Sequence, residues 1–527
     1  MKNILLVKGE SQYGAMRNYI DEFASSLRKL GCNTCVLDGL SPGFPVRYQQ
    51  MLSTFAFDAA VDCNGVLLEG YIESLPPNAI HVIYTCDHPR KLNQRLGQVD
   101  ARTIVFSCDN GFCDYMGRFY PMVGHKGFVP LSGSFYPKCV PYGERSIDIL
   151  FTGSYEDPQK VKEQALGLFD GVLAQFMAGM LKDIIANPQH TISDCLARAL
   201  EDYNLEIDGQ EFNELVGEFM DADRYARFYY RDKLIRTLLG AGLEVHVFGN
   251  GWGQFHSEHK ERLVVHPGGL YAAQKALADA KIALNVLPWF KDGFQERIAS
   301  AMLSKAVAVT DSSKFINENF KDNKELLIYT LTDMEEVAER VKYLLSHPKE
   351  AAEIAEQGYQ KAQSHTWGCR VRQMLDMIEE EFGVPFIQEG QGRKLELEVR
   401  YPNLRSIVLD AINELSNMVS FAEQDLAKIE DLSQTDLKAL TDKFEYFTQL
   451  AAWQMNGLDM DKFVWDCLQG CGGTVPDYVL RLFVMQCKAL MSGLLAHENN
   501  FRFDTIKSQE EQIRKLQEEL AAKAAEG

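Results

Sequence analysis

KIALNVLPWFKDGFQERIASAMLSKAVAVTD, residues 281 to 311, is the stretch whose reading decides how this chain folds. Two apolar runs, Ile282 to Val286 and Ala306 to Thr310, predict strands. The loop between them, Lys291 to Gln295, carries Asp292 and Gly293, and a helix should run from near Gln295 to about Ser304. A strand, loop, helix, strand unit is the building block of a parallel α/β sheet. A helix start behind a glycine-bearing loop offers unpaired N–H groups and a positive dipole end. Arg297, in the first turn, adds a permanent charge with a fork of donors. That combination suits a diphosphate.

The same alternation extends in both directions. Upstream, Asn3 to Val7 is a strand run, an amphipathic stretch reaches Leu30, and Asn33 to Leu37 is the next strand. Gly9 and Gly14 bracket the first loop, and Gly14 is a candidate for close ligand approach. The two do not form GxGxxG, so a nicotinamide dehydrogenase is disfavoured. Strands are also predicted at Ala59 to Val61, Ile80 to Thr85, Ile104 to Ser107 and Gly127 to Leu131. Ligands of open parallel sheets sit outside the carboxyl ends of strands. Asp87, His88 and Asp109 occupy such ends and are candidate cleft groups, or else helix N-caps and turn formers, as Asp and Asn often are.

A second α/β domain opens at Ser146. Ile147 to Thr152 is a strand followed by Gly153-Ser154-Tyr155, and residues 158–228 read as a helical insertion. Arg231 to Leu239 is a helix. Glu244 to Phe248 is a strand ending in Gly249-Asn250-Gly251-Trp252. Val264 and Val265 form a short strand, Tyr271 to Ala280 a helix, and Leu326 to Tyr329 the strand after the opening stretch. Helices follow at Met334 to Ser346 and Pro348 to Ser364. The expected organisation is 1–145 and 146–380 as two Rossmann-like domains facing a cleft, then an all-helical extension, 393–527. Ile506, Ile513, Leu516 and Leu520 make its last part heptad-like, a surface for a partner or a second copy, or else a solvated terminal helix.

With 527 residues, two or three domains are expected. A formal charge of −20 argues against nonspecific nucleic-acid binding, but a local pocket can still be positive. No apolar run suits a bilayer span and the N-terminus does not read as a signal peptide, so a cytoplasmic location is expected. The 12 cysteines are scattered without a paired zinc spacing and read as reduced thiols.

The runs IDILFTGSY (147–155), EVHVFGNGW (244–252), AKIALN (280–285), FQERIASAMLSKAVAVTDSS (294–313) and HTWGCRVRQML (365–375) come in an order and spacing that resemble the C-terminal half of GT-B glycosyltransferases. The closest resemblance is to the spore-maturation-protein (CgeB-like) type. CDHP at Cys86 to Pro89 resembles a step in the N-terminal half of that group. The resemblance spans roughly residues 1 to 380. It implies a nucleotide-sugar donor, expected to be a UDP-sugar, held by the second domain, with the acceptor on the first and no metal or other cofactor in the chemistry.

Carried over residue by residue, it places Gly153, Ser154, Tyr155, Gly249, Asn250, Gly251, Trp252, Tyr271, Asn285, Gly293, Phe294, Gln295, Arg297 and Ser300 around the donor. Trp252 and Tyr271 would then lie beside the base, or else serve in domain packing. Asp292 stands where retaining enzymes carry a glutamate against the donor sugar. Ser300 replaces the glutamate that bonds the ribose, and one hydroxyl cannot accept two hydrogen bonds as a carboxylate does. Glu296 is expected to bind the sugar or cap its helix. An inverting enzyme would draw its base from Asp87 or His88; a retaining one would not. The expectation is a metal-independent, retaining hexosyltransferase whose acceptors include protein hydroxyls. The rival readings are a sugar-nucleotide epimerase and a non-catalytic binding or assembly module.

Overall fold

The computed structural model describes residues 2–41, 43–135, 139–267, 269–286 and 288–387. The predicted helical extension and its heptad-like tail lie outside the described residues. The apolar runs form twelve strands in two sheets. In the first lobe β1 (Asn3–Lys8), β2 (Asn33–Asp38), β3 (Ala59–Cys63), β4 (Ile80–Thr85), β5 (Thr103–Ser107) and β6 (His125–Phe128) lie in the order β2-β1-β3-β4-β5-β6. In the second, β7 (Ile147–Thr152), β8 (Val245–Phe248), β9 (Leu263–His266), β10 (Ala280–Leu284), β11 (Val307–Asp311) and β12 (Leu327–Tyr329) lie in the order β12-β11-β10-β7-β8-β9. Every pairing is parallel. β3, β5 and β11 are buried at every position, because helices cover both faces. The two Rossmann-like lobes expected from the sequence are therefore present.

Strand order places the crevices. The first sheet reverses its direction of growth between β1 and β3, the second between β7 and β10, and loops at such points diverge to leave room for a ligand. The two sheets turn their carboxyl ends towards each other. Asp109, after β5, forms an antiparallel bridge with Gly293 of the second lobe. The Asn110 amide donates to Asp292 O, and the Asp292 amide donates to Asp109 Oδ2, both at 3.0 Å. A Cβ at Gly293 would stand 2.8 Å from Asp109 Oδ2 and from Cys108 O, so only glycine fits this seam.

One predicted boundary, residue 228, is corrected. The helix Asp221–Gly240 runs unbroken through residue 228, with Ala222, Tyr225, Ala226 and Phe228 buried in series with Leu234 to Leu239. The insertion thus consists of four helices before it, Pro158–Gly167, Gly171–Ala186, Ile192–Asp202 and Gly209–Glu218. Its last helix leans on the first lobe: Phe212 stacks on Phe119 at 5.8 Å and Tyr115 donates to Asn213 Oδ1 at 2.6 Å. The last helix of the 146–380 segment, Trp367–Phe382, crosses back to the first lobe, because its apolar stripe needs the face offered by helix Ala15–Lys29. Trp367 packs on Tyr19 at 4.8 Å and on Phe23 at 5.1 Å between ring centroids.

Candidate functional site

The second lobe's switch point is lined by cations. Helix Glu296–Leu303 starts just beyond the seam and puts Arg297 in its first turn, where the guanidinium donates to Thr152 O at the end of β7. Gly153 follows with φ 159°, and a Cβ there would lie 2.6 Å from Arg297 Nη1. Helix Asp221–Gly240 supplies Arg227 and Arg231, four residues apart and therefore on one face. Arg231, 4% exposed, donates to Ser154 O at 2.8 Å. Arg227 lies over the Trp289 ring at 4.0 Å, a cation–π contact.

Among the described residues none of these three guanidiniums forms an ion pair, and Nε of Arg227 and of Arg231 has no hydrogen-bond partner. Burial, then the Arg297 and Arg227 charges, push Arg231 well below the usual guanidinium range. Burial takes Arg297 down to about 10, opposed by Glu296. Burial also lowers Arg227, opposed by Asp223. Like charges crowded out of water raise one another's cost, and a polyanion would relieve it. Two acceptors lie close by in sequence: Asn285 Oδ1, buried at the end of β10, and Gln295 Oε1, at the helix N-cap, both without a partner. The Asn285 amide group donates to Thr310 Oγ1 at 3.0 Å, which fixes its orientation.

Other predicted residues have structural partners. Trp252 is fully buried, so its ring cannot stack on a base; Nε1 donates to Gly153 O at 2.7 Å and the ring stacks on Tyr155 at 5.0 Å. Tyr155 donates to Asp232 Oδ1 at 2.9 Å. Both form the wall behind the 153–154 turn. Gly249 and Gly251 let two loops pass: a Cβ at either would strike Gly153 O or Tyr155 O. Asn250 is exposed, and its amide donates to Tyr13 OH of the first lobe at 2.9 Å. Tyr271 lies in the first turn of helix Leu270–Leu277, its side chain outside the described residues. Gly14, at φ 71°, is the N-cap of helix Ala15–Lys29. Phe294 is buried and stacks on Phe320 at 5.2 Å.

The Ser300 hydroxyl, predicted to meet a ribose, accepts from the Ser134 amide at 3.1 Å. The absent side chain of Gly133 leaves room for the helix backbone at Ala299 and Ser300. Of the two roles open to His88, cleft group or cap, it takes the cap: Nδ1 accepts from the Arg90 amide at 3.2 Å, and burial, with Lys91 and Arg90, pushes the ring down to about 3. Asp87 accepts from Asn64 Nδ2 at 2.9 Å and lies 3.9 Å from Lys91 Nζ. Asp109 caps helix Asn110–Phe119 through Gly111 N at 2.8 Å; burial pushes its carboxyl up to about 6, opposed by the seam amides. Asp292 is held by Lys314 at 2.9 Å and Asn110 Nδ2 at 3.3 Å. Glu296 accepts from Tyr19 OH of the first lobe at 2.5 Å, and burial raises its carboxyl.

Arg227 and Arg231 were not predicted. Their i, i+4 spacing in RFYYR was visible, but in a helical stretch it reads equally as a solvated face.

A family model described as glycosyl transferase-like matches residues 231–376. No curated protein sequence matches the chain. Similar solved structures include sucrose-phosphate synthase from Thermosynechococcus elongatus, at 12% identity over 73% of this chain and 100% of that one, TM-score 0.43. Another is HepE (Alr3699) from Anabaena, in complex with UDP-glucose, at 12% identity over 72% and 100%, TM-score 0.45. A third is a glycosyltransferase from Rickettsia africae ESF-5, at 9% identity over 72% and 98%, TM-score 0.42.

Proposed function

We propose that this protein is a GT-B glycosyltransferase that takes a sugar from a nucleotide sugar, a UDP-sugar being the first donor to test. The observation that carries the reading is the convergence of Arg227, Arg231 and Arg297, unneutralised, at the point where β7 and β10 end. The family match over residues 231–376, which takes in Arg231 and Arg297, supports it.

Glycosyl transfer breaks the bond from the anomeric carbon to a phosphate oxygen, and negative charge grows on the departing diphosphate. Donors already in place stabilise that charge without reorganising at the moment of reaction. Arg297 and the first amides of its helix are set for this, with Arg231 and Arg227 fixing the diphosphate; no metal is required in this scheme. Retention of configuration goes with it, because His88 is engaged as a cap and the departing phosphate can itself accept the acceptor's proton.

The same proposal includes the spore-maturation-protein kinship, a cytoplasmic location and a protein hydroxyl as acceptor, docked by residues 393–527. Deleting those residues should spare transfer to a small acceptor and abolish transfer to protein; equal loss on both would defeat the docking idea. One observation favours a second reading, a non-catalytic nucleotide-binding module: the Ser300 hydroxyl is already engaged by Ser134.

A thermal-shift screen against UDP-, GDP-, dTDP- and CMP-sugars, followed by donor hydrolysis, separates the two. The enzyme reading expects a stabilising sugar nucleotide that is turned over, and loss of both with Arg297→Ala. Binding without turnover under any acceptor supports the module. No binding by any sugar nucleotide overturns both.

A further inference from the structure

The helical insertion holds a second cluster with chemistry of its own. Asp183 lies in the last turn of helix Gly171–Ala186, His190 in the turn that follows, and Cys195 in the first turn of helix Ile192–Asp202. One ligand atom from each, a carboxylate oxygen, a ring nitrogen and Sγ, lie within 4.8 Å of one another. The scaffold around them is stiff. The His190 amide donates to Asn187 O at 2.9 Å, and Asn187 Nδ2 donates to Asp183 Oδ1 at 2.6 Å. A reciprocal capping box between Thr191 and Asp194 sets the start of the helix that carries Cys195. Cys195 is 1% exposed, whereas Asp183 and His190 stand at the rim, so the three donors open towards solvent on one side.

That side already attracts a cation. Arg198 Nη1 lies 3.3 Å from Asp183 Oδ1, 3.3 Å from His190 Nδ1 and 3.5 Å from Nε2. Its side chain is 55% exposed, so it can swing into water and leave the donors to a metal.

We propose that Asp183, His190 and Cys195 form a site for a zinc-class divalent cation, with Arg198 as its displaceable stand-in. One thiolate, one imidazole and one carboxylate suit Zn²⁺ or Co²⁺ and not Mg²⁺ or Ca²⁺, which take oxygen ligands. Binding releases the Cys195 thiol proton to solvent as the metal–sulfur bond forms. A consequence follows for the donor loop. Lys291, next to Asp292, is anchored by Pro188 O at 2.6 Å, inside the turn that carries His190. A metal that stiffens this turn also stiffens the grip of the insertion on the loop before Arg297.

The test uses the full chain, stripped with a chelator and titrated with Co²⁺, then with Zn²⁺. Wild type should develop a thiolate-to-cobalt charge-transfer band that Zn²⁺ abolishes, and Zn²⁺ but not Mg²⁺ should raise the thermal midpoint. Cys195→Ser should lose the band, whereas Cys369→Ser, at an exposed thiol, should keep it. His190→Gln should weaken binding by more than the roughly 10–100-fold that loss of a second-shell partner costs. Arg198→Ala should tighten it several-fold, which a purely structural arginine would not do. The site is overturned if wild type shows no thiolate band, if the band survives Cys195→Ser unchanged and so belongs to another of the twelve cysteines, or if Zn²⁺ shifts wild type and His190→Gln equally.

Discussion

The two lobes handle positive charge differently at the ends of their sheets. In the first, Lys8 at the end of β1 pairs with Asp21 at 2.6 Å, and Arg17 pairs with Asp38 through two hydrogen bonds of 2.7 and 3.1 Å. In the second, Arg227, Arg231 and Arg297 have no carboxylate partner among the described residues. A paired cation beside a sheet holds the fold together. A buried, unpaired one weakens the free protein, and so marks a place where a ligand completes the charge balance.

The comparison breaks most sharply at Arg297. Arg297→Ala should reduce donor turnover by roughly 10²–10³, as removal of a preorganised donor does elsewhere, with initial rates and calorimetric binding of UDP as readouts. Unchanged turnover would mean that the second lobe's charge is structural after all.

The first lobe has its own sensitive point, remote from that chemistry. Asp62 and His81 are fully buried, and Asp62 accepts from Val66 N, Leu67 N and His81 Nε2. Asp62→Ala strands three donors. It should cost about 3 kcal/mol at 1–3 kcal/mol for each unsatisfied group, softened by relaxation, in urea unfolding of the unliganded protein.

A pair of matched substitutions sharpens the contrast. Arg231→Met should raise stability by about 1–2 kcal/mol, because an apolar chain replaces an unpaired buried charge, and should weaken UDP binding. Arg17→Met should lower stability by a similar amount and leave UDP binding alone. Parallel thermal and binding measurements on both would show whether the lobes differ as described.

The smallest effect concerns protons. Burial pushes His88 and His365 down to about 3 from the ordinary histidine range. Both are neutral when folded and gain protons when unfolded in mild acid. The stability they secure is complete above about pH 6.5 and falls as the pH drops towards 3. Unfolding free energies at pH 7 and 5.5 should differ by about 1 kcal/mol through His365, and His365→Gln should flatten that dependence.

Much of this was legible in local pattern. Ile80–Thr85 and Ile147–Thr152 end where their apolar runs end, and helix Met334–Ser346 matches its predicted bounds. Arg297 was found because one local unit supplied the strand, the glycine loop and the helix start together. Trp252 stayed open between base and packing for the opposite reason. A tryptophan after Gly-Asn-Gly has the same sequence whether it faces a ligand or a wall, and Tyr155, which covers it, is 97 positions away. His88 at a strand end fits a base or a cap equally well in sequence, and only the position of its ring nitrogen against the Arg90 amide decides for the cap.

Sequence alone determined two α/β sheets and the helix tip bearing Arg297, because strand and helix periods and a glycine before a first turn depend on neighbours a few residues apart. Only the tertiary structure decided which charges would be left unpaired. That Arg17 meets Asp38 while Arg231 meets a carbonyl, aromatic rings and other arginines but no carboxylate among the described residues depends on how elements far apart in the chain pack, and packing sets both the solvation and the counter-ions of every buried charge.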